Sequence, residues 1–237
     1  MDNPIKFTKN IGIIPARGGS KRIPKKNIKS FLGKPIIAYS IQAAIDSKLF
    51  DEVMVSTDDQ EIADISEKYG AKVPFIRSKE NSDDFTTTQD VIEEVIQKYK
   101  TQGKEFNNLC CIYPCAPFIT PEILIKSFTQ LNEKNFDTVF PIIPYSSPIQ
   151  RALRKYKGKV SMILEENLTV RSQDLEDTFH DAGQFYWCKT KPLLNNKKIL
   201  TSNTGGLEIS ELEAQDIDNE TDWKLAELKY QLKYQLK

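Results

Sequence analysis

Short apolar runs alternate with stretches of helical periodicity through the first two thirds of this chain of 237 residues. The predicted strands are a run that starts at Ile11 and the segments 53–55, 73–76, 109–113 and 138–143. The predicted helices lie at 35–45, 59–69 and 89–99 and from Thr120 onward, and a last helix covers 220–232. Because parallel strands need a crossover that a helix usually supplies, this order predicts an α/β fold with a mostly parallel sheet. Such sheets bind ligands at the carboxyl ends of their strands.

The pattern changes between residues 144 and 206, where strand-like pieces at 152–156, 160–164 and 184–188 alternate with polar turns. These pieces predict a small β-rich insertion that either covers the ligand site or makes a subunit contact. We therefore divide the chain into a main α/β domain of residues 1–143 and 207–237 and an inserted lobe of residues 144–206.

The charge composition limits the partners that this chain can have. Lys and Arg number 33, and Asp and Glu also number 33, so nothing draws the whole molecule to nucleic acid or to an anionic membrane. No stretch approaches the about 18 apolar residues of a membrane helix, and the amino terminus lacks the apolar segment of a signal peptide. The four cysteines have neither metal-ligand spacing nor a disulfide pattern. We expect a cytoplasmic protein with a small anionic ligand.

A glycine pair and a cluster of cations follow the first predicted strand. The segment A-R-G-G-S-K-R-I-P-K-K-N covers residues 16–27, and its cations are Arg17, Lys21, Arg22, Lys25 and Lys26. Glycines let backbone N–H groups approach an oxygen-rich ligand, and the cations supply charge for phosphates. The segment has neither the P-loop pattern G-x-x-x-x-G-K-[ST] nor the dinucleotide pattern G-x-G-x-x-G. It predicts a nucleoside triphosphate site, against the plainer interpretation of a solvated basic loop.

Two carboxylates, Asp216 and Asp218, flank the apolar Ile217. In an extended segment, residues two apart point to the same side, so both carboxylates can converge on one hard cation. Mg²⁺ takes one or two protein carboxylates together with phosphate oxygens and water. The pair therefore predicts a Mg²⁺ site beside the triphosphate, and the alternative is that Asp218 caps the helix that follows.

Residues 171–174 and 180–187 are dense in groups that recognise a polyhydroxylated acid. Arg171 can bind a carboxylate with two parallel hydrogen bonds, and His180 and Gln184 can bond hydroxyls or amides. His180 is the only histidine of the chain, and a general base and a structural hydrogen bond are equally good interpretations of it.

Arg77 and the run of Ser, Asp and Thr residues at 82–88 follow the third predicted strand. Arg77 and Thr87 would then lie at the carboxyl edge of the sheet, where they can contact a base or a ribose. The alternative for Thr87 is a cap on the next helix.

Motifs spread over nearly the whole chain resemble one enzyme family. They are the segment at 16–27, V-S-T-D-D at 55–59, Y-P-C-A-P at 113–117 and Q-D-I-D-N-E-T-D-W at 215–223. On these residues the chain resembles the cytidylyltransferases that activate acid sugars with CMP, the acylneuraminate cytidylyltransferase family. Three more segments make it most similar to the members that act on pseudaminic acid: P-I-Q-R-A-L (148–153), R-S-Q-D-L-E (171–176) and H-D-A-G-Q-F-Y-W (180–187).

The resemblance implies a fold and a reaction. The expected fold is the three-layer, Rossmann-like fold of nucleotide-diphospho-sugar transferases, with the nucleotide in the main domain and the sugar and dimer contacts in the inserted lobe. The expected reaction is attack of the anomeric hydroxyl of a nine-carbon acid sugar on the α-phosphate of CTP, which gives a CMP-sugar and pyrophosphate. Mg²⁺ as cofactor and a homodimer are also implied.

The resemblance assigns roles to individual residues. The implied nucleotide contacts are Ala16, Arg17, Gly18, Ser20, Lys21, Lys26, Asn27, Arg77 and Thr87. The implied sugar contacts are Tyr113, Gln150, Arg171, His180, Gln184 and Tyr186. The implied catalytic residues are Lys26, Arg17 and Asp216, and the implied Mg²⁺ ligands are Asp216 and Asp218.

Tyr113 departs from the pattern of the neuraminate-specific members, which carry a glutamine just before the proline at the end of the fourth strand. The departure favours a differently substituted sugar. Legionaminic acid, N-acetylneuraminic acid and an eight-carbon ulosonate are the alternatives within the same chemistry. An alternative of another class is a nucleotide or sugar sensor without catalysis, against which the presence of Lys26 and the Asp216/Asp218 pair argues.

Overall fold

The computed structural model describes residues 9–235, and this range contains eleven strands and six α-helices. They are β1 (Asn10–Pro15), β2 (Ser30–Phe31), β3 (Lys34–Pro35), α1 (Ile37–Ser47), β4 (Glu52–Ser56), α2 (Gln60–Lys68), α3 (Thr88–Thr101), β5 (Asn108–Ile112), α4 (Pro121–Glu133), β6 (Thr138–Pro144), β7 (Leu153–Tyr156), β8 (Lys159–Met162), β9 (Phe179–Asp181), β10 (Phe185–Lys189), α5 (Thr190–Asn196), β11 (Thr204–Glu208) and α6 (Glu220–Tyr234).

Seven of the strands form one central sheet. Six of them follow the order β11-β6-β10-β5-β1-β4, and β9 pairs with β6. β1 is parallel to β4 and to β5, and β11 is parallel to β6, whereas β10 is antiparallel to both of its neighbours. The predicted α/β fold with a mostly parallel sheet is confirmed.

Helices cover both faces of this sheet, which gives the three layers. On one face, Ile14 and Cys110 of the sheet pack in a cluster with α1, α2 and α4. On the other face, Ile13 and Cys111 pack in a cluster with α3 and α5. Neighbouring residues of one strand thus serve opposite faces, which explains why β1 and β5 are almost continuously apolar.

The prediction of a third strand at 73–76 is wrong. Beside β4 there is only one isolated bridge, between Met54 and Lys72, and the following residues have no strand conformation. Val73 and Phe75 still pack against the two core clusters. Their apolar character therefore reflects burial at the edge of the sheet and does not indicate a paired strand.

Strand β10 lies inside the central sheet, between β5 and β6, although the inserted lobe was predicted to contain it. Its Trp187 is fully buried, and the ring stacks on Phe50 with centroids 4.9 Å apart. A strand buried on both faces needs neighbours on both edges, which a small lobe does not provide. The part of 144–206 that leaves the sheet is therefore the stretch between β6 and β9.

That stretch carries the hairpin of β7 and β8, which pair only with each other. Apolar side chains are exposed on it, with Leu153 at 62% and Val160 at 59%. Among residues 9–235, no helix combines the length and the apolar character that crossing a membrane requires.

Candidate active site

A cavity of about 400 Å³ opens at the carboxyl ends of β1 and β5. Seven of the predicted site residues line it: Arg17, Ser20, Lys21, Lys26, Asn27, Tyr113 and Asp216. The other residues of its wall are Pro15, Arg22, Asp84, Pro114, Cys115, Gly183 and Ile217. The cavity thus joins the basic loop, the end of β5 and the segment before α6, as expected for a ligand site of an α/β sheet.

The basic loop is fixed by hydrogen bonds at both of its ends. Asn27 Nδ2 donates to the Arg17 carbonyl at 2.9 Å, and the Gly18 N–H donates to Asp58 Oδ1 at 2.9 Å. Gly18 lies against α2, because a Cβ there would be 2.7 Å from Asp59 Oδ2. The loop can follow this path only with glycine at position 18, and Ala16 before it is fully buried.

Lys26 joins the basic loop to the segment that precedes α6. Its Nζ donates to the Ile217 carbonyl at 2.7 Å. The Ile217 side chain is buried in a cluster with Ile23 of the basic loop and Trp223 of α6. This contact holds Asp216 at the cavity wall, facing the cations.

Acidic side chains pair with three cations of the basic loop. Arg17 Nη1 lies 2.7 Å from Asp84 Oδ1, Lys21 bonds the other oxygen of Asp84, and Arg22 Nη2 lies 2.8 Å from Asp218 Oδ1. Sequence reasoning assigned no role to Asp58 or Asp84, although both lie in segments that it singled out, because nothing local distinguishes them from their neighbours Asp59 and Asp83. These cations line the cavity, where an anion of higher charge, such as a triphosphate, could replace the carboxylates as their partner.

Asp216 carries a carboxylate whose environment disfavours ionisation. Burial raises the pKa of Asp216, and repulsion from Asp218 raises it further, while Lys26 lowers it in part. Lys26 donates to a backbone carbonyl and does not form a close pair with the carboxylate. A carboxylate at the cavity wall with an acidic neighbour fits a hard cation as its missing partner.

Tyr113 and Tyr186, two of the predicted sugar contacts, pack against each other at the cavity. The two rings pack edge to face with centroids 5.5 Å apart, and Tyr113 lines the cavity while Tyr186 lies behind it. Burial raises the pKa of Tyr113, and hydrogen bonding with Thr88 and Tyr186 lowers it in part. Burial also raises the pKa of Tyr186 far above its usual range. Both phenols are therefore protonated near neutral pH.

Arg77 and Thr87, the predicted base or ribose contacts, lie outside the wall of the cavity as described over residues 9–235. Arg77 is 6% exposed, and its Nε donates to Ser56 Oγ at 3.0 Å, which fixes the end of β4. Burial lowers the pKa of Arg77. Thr87 forms a capping box with Asp90 at the start of α3, so its alternative role as a cap is confirmed.

Gln150 and Arg171 lie on the segment that leaves the sheet. Gln150 Nε2 donates to the Glu176 carbonyl at 2.9 Å, and Arg171 pairs with Asp174 at 2.6 Å. Neither residue reaches the cavity wall formed by the described part of this chain. Their role as sugar contacts stays a prediction that needs a second subunit or a movement of this segment.

His180 and Gln184 flank the turn that leads into β10. His180 Nδ1 lies 2.9 Å from the Asp181 carbonyl, and its ring packs against Tyr145 with centroids 5.0 Å apart. Gln184 is 2% exposed and donates to the Glu213 carbonyl at 2.5 Å. Neither side chain lines the cavity, but both lie beside the turn at Gly183, which does, and the buried Gln184 Oε1 has no hydrogen-bond partner among the described residues.

The model of the family described as cytidylyltransferase matches residues 11–232, which include every element of the central sheet except the first residue of β1. This chain belongs to the cytidylyltransferase family. The match covers the basic loop, the cavity wall and Asp216, so the geometry described above is that of a cytidylyltransferase.

Curated relatives align over almost their whole length with this cytidylyltransferase. The pseudaminic acid cytidylyltransferase of Campylobacter jejuni subsp. jejuni serotype O:2 is 39% identical, over 96% of this chain and 98% of the relative. The CMP-N,N'-diacetyllegionaminic acid synthase of Legionella pneumophila subsp. pneumophila is 32% identical, over 92% of this chain and 94% of the relative.

A solved structure shows the same fold as this cytidylyltransferase. The CMP:2-keto-3-deoxy-manno-octonic acid synthetase complexed with CTP superposes with a TM-score of 0.70, covers 97% of this chain and is itself covered completely. Its sequence is 18% identical, so the likeness supports the three-layer fold.

Proposed function

We propose that this cytidylyltransferase transfers the CMP group of CTP to the anomeric hydroxyl of pseudaminic acid. The observation that carries the proposal is the cavity that brings Arg17, Lys21 and Lys26 together with Asp216 beside Tyr113. The relatives support this sugar over the alternatives. The pseudaminic acid cytidylyltransferase of Campylobacter jejuni is 39% identical to this chain, whereas the legionaminic acid synthase of Legionella pneumophila is 32% identical.

The proposed reaction requires the site to stabilise negative charge. A bond forms between the sugar oxygen and the α-phosphorus, the hydroxyl proton passes to a carboxylate of the Asp216/Asp218 pair or to water, the bond from that phosphorus to the bridging oxygen breaks, and pyrophosphate leaves with the electron pair. Arg17, Lys21 and Lys26 can neutralise the charge that develops on the α-phosphate and on the leaving group. Because Lys26 is already held by the Ile217 carbonyl, little reorganisation is needed when the nucleotide binds.

The cofactor we propose is Mg²⁺, held by Asp216 and Asp218. Among residues 9–235 no group of three or more His, Cys, Asp or Glu residues is arranged to hold a metal. Mg²⁺ uses one or two carboxylates and completes its shell with phosphate oxygens and water, so a pair of carboxylates is sufficient for it. When bound, the ion neutralises phosphate charge. To bind the ion, Asp218 would have to give up its ion pair with Arg22.

We place the enzyme in the cytoplasm. All four cysteines are free thiols, and Cys110, Cys111 and Cys188 are buried in the sheet. Free thiols persist in a reducing compartment.

We also propose that the enzyme is a homodimer in which the hairpin of β7 and β8 contacts the second subunit. Leu153 and Val160 lie on the same face of this hairpin, because residues 153 and 155 share one face and Val160 is opposite Lys155. Both side chains are more than half exposed, and a second subunit would cover them.

Sedimentation equilibrium tests the dimer. We expect a mass of twice the 27.1 kDa of one chain. Leu153→Asp should shift the mass to that of the monomer, whereas Ser161→Asp, on the opposite face of the same hairpin, should leave the dimer intact. A monomeric wild-type protein would contradict the proposal.

Pyrophosphate release from CTP tests the proposed reaction. The assay compares pseudaminic acid, N,N'-diacetyllegionaminic acid and N-acetylneuraminic acid in the presence of Mg²⁺, with reactions that lack sugar or contain ATP in place of CTP as controls. We expect kcat/KM for pseudaminic acid to exceed that for the other two sugars by about tenfold or more. A higher value for another sugar would keep the reaction and overturn the substrate. Binding of CTP without release with any sugar would favour the sensor.

A further inference from the structure

The Asn27 side chain lies between the basic loop and the segment that follows β5. Its Nδ2 donates to the Arg17 carbonyl at 2.9 Å, and its Oδ1 lies 3.2 Å from Cys115 Sγ. Asn27 is only 6% exposed, and all three residues line the cavity. One buried amide thus links two walls of the cavity.

The Arg17 carbonyl sets the direction of this link. A carbonyl oxygen can only accept, so the amide NH₂ of Asn27 faces Arg17 and the amide oxygen faces Cys115. That oxygen also only accepts, so the thiol of Cys115 must supply the proton between them. Burial raises the pKa of Cys115 to about 12, while Lys26 lowers it in part. The thiol therefore carries its proton near neutral pH and donates to Asn27.

The segment that carries Cys115 is anchored to the rest of the fold. The Tyr113 N–H donates to the Gln184 carbonyl at 2.8 Å, and the Tyr113 carbonyl accepts from Ser40 Oγ of α1 at 2.8 Å. Neither contact involves the basic loop. Cys115 also packs against the apolar cluster that contains residues of the basic loop and of α6. It thus offers the Asn27 amide a donor in a fixed position.

We infer that Cys115 is a positioning residue of the nucleotide site, which acts by donating a hydrogen bond to Asn27. With its oxygen bound to Cys115, the amide keeps its NH₂ on the Arg17 carbonyl and ties the start of the basic loop to its end. Asn27 directly follows Lys26 in the chain, so the same amide helps to fix both Arg17 and Lys26. This inference rests on the proposed function, in which these cations bind the triphosphate.

Cys115→Ala tests this role. The variant leaves the buried oxygen of Asn27 without its donor, which weakens the hold on the basic loop. We expect the Kd for CTP, measured by calorimetry with Mg²⁺ and without sugar, to rise by about fivefold. The KM for the acid sugar at saturating CTP should change by less than about twofold, because the backbone of Tyr113 is held by other contacts.

Cys115→Ser supplies the matched control, since a hydroxyl donates from nearly the same position as the thiol. It should keep the Kd for CTP within about twofold of the wild-type value. Cys110→Ala removes a buried thiol of β5 that does not line the cavity formed by the described residues. That variant should lower the melting temperature and leave the Kd for CTP unchanged. Equal rises for Cys115→Ala and Cys115→Ser, or no rise for Cys115→Ala, would overturn the inference.

The infrared band of the S–H stretch separates this inference from the proposed function. Subtracting the spectrum of Cys115→Ser from that of the wild-type protein, both without ligand, isolates the band of Cys115. We expect this band at a lower frequency than that of a small thiol in an apolar solvent, because donation weakens the S–H bond. A lowered band in a protein that releases no pyrophosphate would overturn the proposed function alone. An unshifted band in an active enzyme would overturn the inference alone.

Discussion

Replacing Lys26 with alanine is expected to lower kcat by about 10²–10³-fold, the cost of removing one preorganised donor from a charged transition state. Lys26 lines the cavity, and its Nζ is held 2.7 Å from the Ile217 carbonyl. Under the proposed function, it would therefore meet the phosphates in a fixed position. Steady-state kinetics with saturating CTP and acid sugar would measure the loss.

The adjacent lysine provides the control for this prediction. Lys25 has a left-handed backbone, lies outside the cavity wall and pairs with Glu61 of α2. Lys25→Ala removes the same charge from the same loop, so we expect kcat to change by less than about threefold. Equal losses in the two variants would mean that the loop acts as a diffuse positive field and that Lys26 has no specific role.

Asp216→Asn is expected to lower kcat by orders of magnitude and, at neutral pH, to raise the melting temperature. The loss of activity follows if Asp216 binds Mg²⁺, since an amide is a weaker ligand for a hard cation. The gain in stability follows from the raised pKa of Asp216. The folded state binds the proton more tightly than the unfolded state, so the stability falls as the pH rises from the ordinary value through the raised pKa.

Two measurements separate these effects. Thermal unfolding without Mg²⁺ should show the stabilising effect of Asp216→Asn at neutral pH and little of it in acid, where Asp216 is protonated in both states. Adding Mg²⁺ and CTP should raise the melting temperature of the wild-type enzyme more than that of the variant. A variant with near-normal kcat in Mg²⁺ would show that Asp216 is not a ligand of the ion.

The pattern of apolar runs predicted β1, β4, β5 and β6, because a strand buried between two helical layers is apolar at nearly every position. It did not reveal that β10 lies between β5 and β6. The run at 184–188 looks the same in sequence whether it pairs within a lobe or inside the sheet, since the pairing depends on partners far away in the chain, such as Cys111 opposite Tyr186. Strand order is a property of long-range contacts.

The site was predictable where the chemistry is concentrated in one segment. The basic loop and the Asp216/Asp218 pair are local patterns, and the structure brings Lys26 and Asp216 to one cavity. Asp84, which pairs with Arg17, reaches the cavity only through the path of the loop that precedes α3. Nothing local distinguishes it from the neighbouring Asp83, so its position required the fold.

The contact between Lys26 and the Ile217 carbonyl joins parts of the chain that are 191 residues apart. On the ribosome, the basic loop is made before the segment that carries Asp216 and Ile217. The loop therefore lacks this wall of the cavity until that segment has been made, and a shorter chain cannot hold a triphosphate between cations and carboxylates in the proposed way. Under the proposed function, nucleotide binding thus becomes available only after residues 216–218 have been made.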